Sequence, residues 1–147
     1  MNCKEIFQDS LQELLVVHNL TIKDLSTAAS VCLSPLYRYI NGESAPSLSN
    51  AIKIADYFGC SLDYLFGLAD TYTKDTYRIA ATPNERFREF LKAQGCSRYK
   101  IHKATGLEEK LLFDWFHGVR TPSLANLYLI AKTYTCSLDY LARRDKI

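Results

Sequence analysis

The 147-residue sequence lacks any apolar run approaching the roughly 20 residues that a membrane-spanning helix needs. It also lacks a recognisable signal peptide, because its first residues, MNCKEIFQDSLQELL, mix acidic side chains with apolar ones. The N-terminal pattern is instead typical of an amphipathic helix. We therefore expect no membrane segment and, by default, a cytoplasmic location.

Patterns for metal ions, disulfides and catalysis are missing too. The five cysteines are odd in number, none belongs to a C-x-x-C pair, and no histidine stands at zinc-ligand spacing from them. We expect reduced, mostly buried thiols and no metal site. No glycine-rich loop could cradle a phosphate, and the three histidines have no sequence-local nucleophile or metal partner. The sequence thus predicts no enzyme activity, no cofactor and no small-molecule substrate.

The charge that is present is divided unevenly along the chain. Residues 1–70 hold 4 basic and 8 acidic side chains, whereas residues 84–147 hold 12 basic and 7 acidic ones. An acidic region repels nucleic acid unless its acidic side chains lie away from the contact surface. The apolar fraction of 48% and the charged fraction of 23% are typical of a folded globular protein.

The chain repeats itself at a constant offset of 76 residues. Residues 46–65 (PSLSNAIKIADYFGCSLDYL) and 122–141 (PSLANLYLIAKTYTCSLDYL) agree at 12 of 20 positions. Over residues 8–45 the same offset gives only 5 identities in 38. The repeat predicts two tandem domains, 1–70 and 84–147, joined by a polar linker at 71–83. The C-terminal half of the unit is shared, and the upstream half has diverged.

Capping signals divide each unit into about five short helices. In the first unit, Thr21 with Asp24 forms a capping box, Gly42 and Gly59 end helices, and Ser47 starts another. No strand-like alternation of apolar and polar residues is present. We predict an all-α fold made of two tandem five-helix domains.

The run from Leu20, LTIKDLSTAASVCLSPLYRYINGESAPSLSNAIKIADYFGCSLDYL, resembles the repressor/Cro-like (XRE-type) helix-turn-helix family. The P-S-L and S-L-D-Y-L segments appear twice, and the resemblance covers residues 5–66 and 84–142. It implies two phage-repressor-like domains in a transcription regulator that binds double-stranded DNA in a sequence-specific manner. It also implies a homodimer, since domains of this family usually bind palindromic sites as dimers.

The resemblance assigns roles to residues of the first unit. One helix (22–29) would cross the phosphate backbone, and a recognition helix (33–40) would enter the major groove. Phosphate contacts would fall to Thr21, Lys23, Asn41 and Ser44. Base reading would fall to Leu33, Ser34, Tyr37 and Arg38, with Arg38 able to bind guanine O6 and N7 in bidentate fashion. The sequence departs from the family where a glutamine is replaced by Ile22 and the turn glycine by Ser30.

The second unit departs further, because its recognition positions carry three carboxylates (Glu108, Glu109 and Asp114) that would repel a phosphate-lined groove. Its flank is nevertheless basic, and the expected phosphate contacts are Arg98, Lys100, Lys103 and Arg120. The first unit is the expected reader, since its acidic residues Glu5, Asp9, Glu13 and Asp56 belong to helices that face away from DNA in this family. The second unit would be an auxiliary domain that grips phosphates or mediates oligomerisation.

An alternative is a protein-interaction adaptor or antitoxin-like module that keeps the helix-turn-helix fold without binding DNA. The acidic first unit, the missing glutamine and the aromatic residues Phe113, Trp115 and Phe116 favour it. Trp115 and Phe116 align with the core-like Tyr39 and Ile40, so we expect them to be buried.

Overall fold

The computed structural model describes residues 2–147 and divides the chain into two compact units. The first unit ends at Tyr77, and the second spans Arg78–Ile147. Ten helices and two three-residue strands make up the regular structure of the described residues. The predicted all-α fold is confirmed, but the short strands were not expected because no apolar alternation marks them.

The helices of the first unit begin and end at local capping signals. Thr21 and Asp24 form the predicted capping box, and the side chains of Ser47 and Ser61 cap the two helices that follow them. The predicted bounds 22–29 and 33–40 agree with the structure. The five helices are α1 (Cys3–Val17), α2 (Ile22–Ala29), α3 (Leu33–Ile40), α4 (Leu48–Phe58) and α5 (Leu62–Leu65).

The second unit repeats this arrangement. Its helices are α6 (Pro83–Gln94), α7 (Arg98–Thr105), α8 (Glu109–Phe116), α9 (Leu124–Tyr134) and α10 (Leu138–Leu141). The bounds of α7 to α10 lie 76 residues after those of α2 to α5, so divergence of the sequence has not moved the helix ends. Strands β1 (Tyr77–Ile79) and β2 (Arg144–Lys146) form a two-stranded sheet that has no counterpart in the repeat.

Much of the segment 71–83, expected as a linker, takes part in folded structure. The Tyr72 hydroxyl donates a hydrogen bond to the Phe58 carbonyl at 2.6 Å, and the Asp75 amide donates one to the Gly59 carbonyl at 2.7 Å. Residues 77–79 form β1, and α6 begins at Pro83. The division between the compact units falls between Tyr77 and Arg78.

Each unit is built around aromatic residues that hold its third helix. In the first unit, Phe7 of α1 stacks on Phe66 at 5.2 Å between ring centroids and meets the edge of Tyr39 at 5.7 Å. In the second, the fully buried Trp115 of α8 meets the ring of Phe87 at 5.5 Å. Burial of a large apolar side chain contributes about 1.5–3 kcal/mol, so these contacts fix which face of α3 and α8 points outward.

Two further expectations concern cysteines and membranes. Only Cys60 of the five free thiols is buried, and Cys32 is exposed at the start of α3, so the expectation of mostly buried thiols is wrong. Within residues 2–147, no helix has the length and apolar character to cross a membrane. No three potential ligands among histidine, cysteine and acidic side chains converge on a metal position in the same part of the chain.

Candidate nucleic-acid interface

A tight turn joins α2 to α3 in the first unit. Ser30 follows α2 in the left-handed conformation, with φ at +58°, and the next residue, Val31, is buried. The Ser26 hydroxyl donates a hydrogen bond to the Val31 carbonyl at 2.5 Å and ties the turn to the helix before it. The turn therefore sets the angle between α2 and α3 through local contacts.

The outward face of α3 carries all four expected base-reading residues. Leu36 and Tyr39 are buried on the opposite face, and the Tyr39 hydroxyl accepts a hydrogen bond from Asn50 Nδ2 at 2.9 Å. Helical spacing places residues 33 and 37, and 34 and 38, one turn apart, so they form one surface. The exposed residues are Leu33, Ser34, Tyr37 and Arg38.

Side chains of α1 hold the C-terminal end of α3. Gln8 Nε2 donates a hydrogen bond to the Ile40 carbonyl at 2.9 Å, and Gln12 Nε2 donates one to the same oxygen at 3.3 Å. Gly42 lies beside them with φ at +72°, and a Cβ there would come within 2.6 Å of Gln8 Oε1. The last carbonyls of a helix lack partners within the helix, so these amides both cap α3 and fix its position.

The expected phosphate contacts flank the outward face of α3 along the chain. Thr21 and Lys23 are exposed at the start of α2, Asn41 is the exposed C-cap of α3, and Ser44 is half-buried in the following loop. Asp24 also lies at the start of α2, where the hydrogen bond that the Thr21 backbone amide donates to its carboxylate at 3.0 Å is the main cause that lowers the pKa of this group. Asp24 is therefore ionised at neutral pH, and it opposes a phosphate at this helix start.

The second unit builds the same turn with different residues. Gly106, with φ at +79°, stands where the first unit has Ser30. His102 Nδ1 lies 2.6 Å from the Leu107 carbonyl, and it must carry the proton because a carbonyl oxygen only accepts. His102 and Leu107 are the repeat equivalents of Ser26 and Val31, so the contact that ties the turn recurs.

The carboxylate of Asp114 does not face outward as expected. Asp114 is only 4% exposed, although it occupies the repeat position of Arg38. Lys110 Nζ lies 2.9 Å from one of its oxygens and Arg120 Nε 2.8 Å from the other. The hydrogen bond from Lys110, and then that from Arg120, lowers the pKa of Asp114 against the opposing effect of burial. The expectation of three carboxylates facing a groove is therefore wrong for Asp114, because the ion pairs draw it inward.

Two carboxylates do remain exposed at the start of α8. Glu108 is the N-cap of the helix, makes no side-chain capping bond, and is followed by the exposed Glu109. Phe113 is exposed in the position of Tyr37, while Trp115 is buried and Phe116 is half-buried. The expected burial of Trp115 is confirmed, and that of Phe116 holds only in part.

The residues expected to contact phosphates in the second unit differ in exposure and in the contacts that they already make. Lys100 and Lys103 are exposed on α7, and the Lys103 ammonium lies 5.5 Å from the centre of the Tyr99 ring. Arg98 is half-buried, with its guanidinium 5.2 Å from the Phe113 ring and 5.0 Å from the Phe116 ring. Arg120 is exposed but is already paired with Asp114, so part of its charge is neutralised.

With this geometry established, comparison with known families identifies the fold. A helix-turn-helix family model matches residues 11–65 and, separately, residues 87–141. The chain belongs to the helix-turn-helix family. The two matches take in α2 with α3 and α7 with α8, so the chain contains two tandem copies of the repressor/Cro-like (XRE-type) domain. Searches among curated proteins and among solved structures each found no match.

Sequence reasoning missed the side chains that clamp the recognition helices. In the second helix-turn-helix copy, Asn84 Nδ2 donates to the Trp115 carbonyl at 2.7 Å, and Arg88 Nη1 donates to the Phe116 carbonyl at 2.7 Å. Asn84 and Arg88 are the repeat equivalents of Gln8 and Gln12. The sequence did contain a signal for these contacts, because both copies carry polar hydrogen-bond donors one helical turn apart at matching positions.

Proposed function

We propose that the protein is a sequence-specific transcription regulator whose first unit places α3 in the major groove of double-stranded DNA. The observation that carries this proposal is the exposed face of α3, where Leu33, Ser34, Tyr37 and Arg38 stand together while the opposite face is buried. Arginine can bind the O6 and N7 atoms of guanine, and a leucine can contact a thymine methyl group. The clamp from Gln8 and Gln12 supports the rigid positioning that base reading requires.

Phosphate contacts would hold this helix in its register. Thr21 and Lys23 precede the reading face along the chain, and Asn41 and Ser44 follow it, which suits contacts with phosphates on the two sides of one groove. We assign the phosphate contacts of the first unit to these four residues. Asp24 weakens the attraction at the start of α2, so Lys23 is the residue that offsets its charge there.

The second unit would strengthen DNA binding through its positive charge and would not contribute to the choice of sequence. Its exposed reading positions carry Glu109, Lys110 and Phe113, which share no chemistry with the first unit, so one chain cannot read two copies of one half-site. We therefore propose a homodimer in which two first units bind half-sites about 34 Å apart. The second units would contribute flanking phosphate contacts or contacts between the chains, through Arg98, Lys100, Lys103 and, despite its pairing with Asp114, Arg120.

Replacement of Arg38 tests the assignment of the reading helix. An operator is first selected from random duplexes with the full chain. Arg38→Ala should then weaken operator binding by about 1–3 kcal/mol and relax the preference at one base pair. Arg78→Ala, which removes an exposed arginine outside the proposed interface, should leave affinity and preference unchanged. An Arg38→Ala protein as tight and selective as the parent would remove this residue from the interface.

Salt dependence and stoichiometry separate this proposal from its rivals. Phosphate contacts make the affinity for random duplex DNA fall steeply as salt rises. A protein with no salt-sensitive duplex binding would instead be a protein-interaction adaptor. Sedimentation should find two chains on an operator with two-fold symmetry. One chain on a site without symmetry would mean that the two units bind in tandem.

A further inference from the structure

Two adjoining openings on the surface of the second unit share Ser97 and Arg98 at the start of α7. One has a volume of about 570 Å³ and is lined also by Tyr99, Glu109, Lys110 and Phe113. The other, of about 550 Å³, is bounded by Arg88, Lys92 and Phe116 among others. We call this continuous surface across α6, α7 and α8 the α7 furrow. Both openings are exposed to solvent.

Exposed aromatic rings line one end of the α7 furrow. Tyr99 is 55% exposed and Phe113 is 43% exposed, although side chains of this size are more often buried in a domain core. Cations lie over both rings: Arg98 and Lys110 lie 5.2 and 5.3 Å from the centre of the Phe113 ring, and Lys103 lies 5.5 Å from the centre of the Tyr99 ring. Such cation–ring contacts stabilise an exposed ring by about 0.5–1 kcal/mol or more. Each ring therefore contacts neighbouring side chains, with His117 against Phe113 at 4.2 Å between ring centroids, while part of its surface stays exposed to solvent.

Positive charge accompanies these rings. Within residues 2–147 no carboxylate forms an ion pair with Arg98, Lys92 or Lys103, so their charges are available to an anion. Lys110 differs, because its ammonium is already shared with Asp114. Glu109 stands at the aromatic end, where its carboxylate repels a phosphate but accepts a hydrogen bond from the exocyclic amino group of a base. The distribution of charge therefore favours the bases of a bound nucleic acid beside the rings and its phosphates beside Arg98 and Lys92.

The bases of duplex DNA do not suit the rings of this surface, whatever phosphate contacts its cations make. Bases within a duplex stack on one another and present only their edges, which are read by hydrogen-bonding groups. The repeat position of Arg38 holds the buried Asp114, and the position of Ser34 holds Lys110, which is tied to that carboxylate. The faces of Tyr99 and Phe113 can stack only on a base whose own face is open, as in a single strand.

We propose that the α7 furrow binds single-stranded nucleic acid, with bases stacked on Tyr99 and Phe113 and phosphates held by Arg98, Lys92 and Lys103. Alternation of aromatic rings with unpaired cations is the chemistry that takes a single strand without regard to its sequence. This activity would belong to the second unit, whereas operator reading would belong to the first. It holds whether or not α3 of the first unit reads bases in a duplex.

Ring removal in the full chain tests the proposal. Fluorescence anisotropy with a labelled oligothymidylate of about 12 nucleotides measures strand binding. Phe113→Leu and Tyr99→Leu keep apolar bulk at exposed positions, and each should weaken binding roughly 5- to 100-fold through loss of one stacked base. Phe113→Tyr keeps the ring and should retain the affinity. Tyr57→Leu removes an exposed ring of α4, outside the furrow, and should change nothing.

Four results would overturn the proposal. The first is no binding of the labelled strand at low salt. The second is strand affinity unchanged in both leucine variants, while the fluorescence of the buried Trp115 shows an intact second unit. The third is an equal loss of affinity for a random duplex in these variants, which would mean that the rings serve duplex DNA. The fourth is thymidine monophosphate binding as tightly as the oligonucleotide, which would make the furrow a small-molecule site.

Discussion

The two units share helix boundaries and differ in the chemistry that these boundaries support. On the recognition helix, Arg38 is exposed in the first unit, whereas its counterpart Asp114 is buried between Lys110 and Arg120 in the second. At the third position of the preceding helix the difference is reversed, because Asp24 in the first unit is replaced by Lys100. Each unit therefore carries one feature of the proposed DNA interface and lacks the other.

On the proposed assignments, base reading and phosphate binding are separable on one backbone. Base reading needs exposed hydrogen-bonding groups on one face of a helix, while phosphate binding needs only cations near its flanks. Backbone strain from a left-handed residue that is not glycine also occurs in each unit, at different repeat positions. The first unit has serine at the left-handed position after α2, where the second has Gly106, and the second has Thr135 where the first has Gly59.

The largest expected effect on stability is that of replacing Arg86, a buried arginine of the second unit whose repeat position in the first unit holds a serine. Its guanidinium is buried, donates to the Tyr140 carbonyl at 2.6 Å, and binds both oxygens of Asp145 at 2.8 and 3.0 Å. Arg86→Met should destabilise the second unit by about 2–3 kcal/mol, because hydrogen bonds to charged groups contribute about that much. Denaturation followed by fluorescence of Trp115, the single tryptophan, reports this unit selectively.

Ser10 of the first unit occupies the repeat position of Arg86 and supplies the control. Ser10→Ala should change stability by no more than about 0.5 kcal/mol. If Arg86→Met has an equally small effect, the ion pair with Asp145 does not stabilise the second unit, and this contrast between the units fails.

A smaller effect of opposite sign is expected at Thr135, a β-branched residue held in the left-handed conformation with φ at +51°. Thr135→Gly should stabilise the second unit by about 1 kcal/mol, since L residues are strained there and glycine is not. The reciprocal Gly59→Thr should destabilise the first unit, where a Cβ would also approach Lys74 Cγ at 2.9 Å. Unfolding followed by circular dichroism measures both variants. Loss of stability in Thr135→Gly would contradict the assignment of strain.

Acid should destabilise the second unit through Asp145. The hydrogen bond from Arg86 lowers the pKa of Asp145 below its ordinary value of about 3.9. A lowered folded-state pKa contributes stability above the unfolded-state pKa and loses it as the pH falls through the folded-state value. The denaturant midpoint reported by Trp115 should therefore fall below about pH 4. In Asp145→Asn the midpoint at neutral pH should be lower than in the parent and should change less as the pH falls. If the variant keeps the pH profile of the parent, Asp145 does not cause the loss of stability in acid.

The smallest expected effect compares α2 and α7, the helices proposed to cross the phosphate backbone. Lys23→Ala and Lys100→Ala should each weaken binding to all duplex sequences alike and reduce the salt slope by about one ion. Lys132→Ala, at an exposed position of α9, should leave the slope unchanged. A reduced slope for Lys23→Ala alone would place α7 away from the duplex and confine phosphate binding to the first unit.

The sequence by itself determined where the helices of each unit begin and end. The capping box of Thr21 with Asp24 and the hydroxyl of Ser47 act within one turn of chain, so nearby residues suffice to predict α2 and the start of α4. The repeat offset then carries these boundaries to the second unit. The outward residues of α3 were predictable for the same reason, because helical periodicity separates them from the buried Leu36 and Tyr39.

Only the tertiary structure decided which polar groups meet across the chain. Gln8 reaches the carbonyl of Ile40, 32 residues away, and Arg86 reaches Asp145, 59 residues away. The expected exposure of Asp114 failed because Arg120, in the loop beyond α8, joins Lys110 in drawing that carboxylate inward. Strands β1 and β2 pair for a similar reason, since the chain brings together segments whose own patterns predict no strand. Periodicity describes the face on which a residue lies, but the partner on that face is set by packing of distant segments.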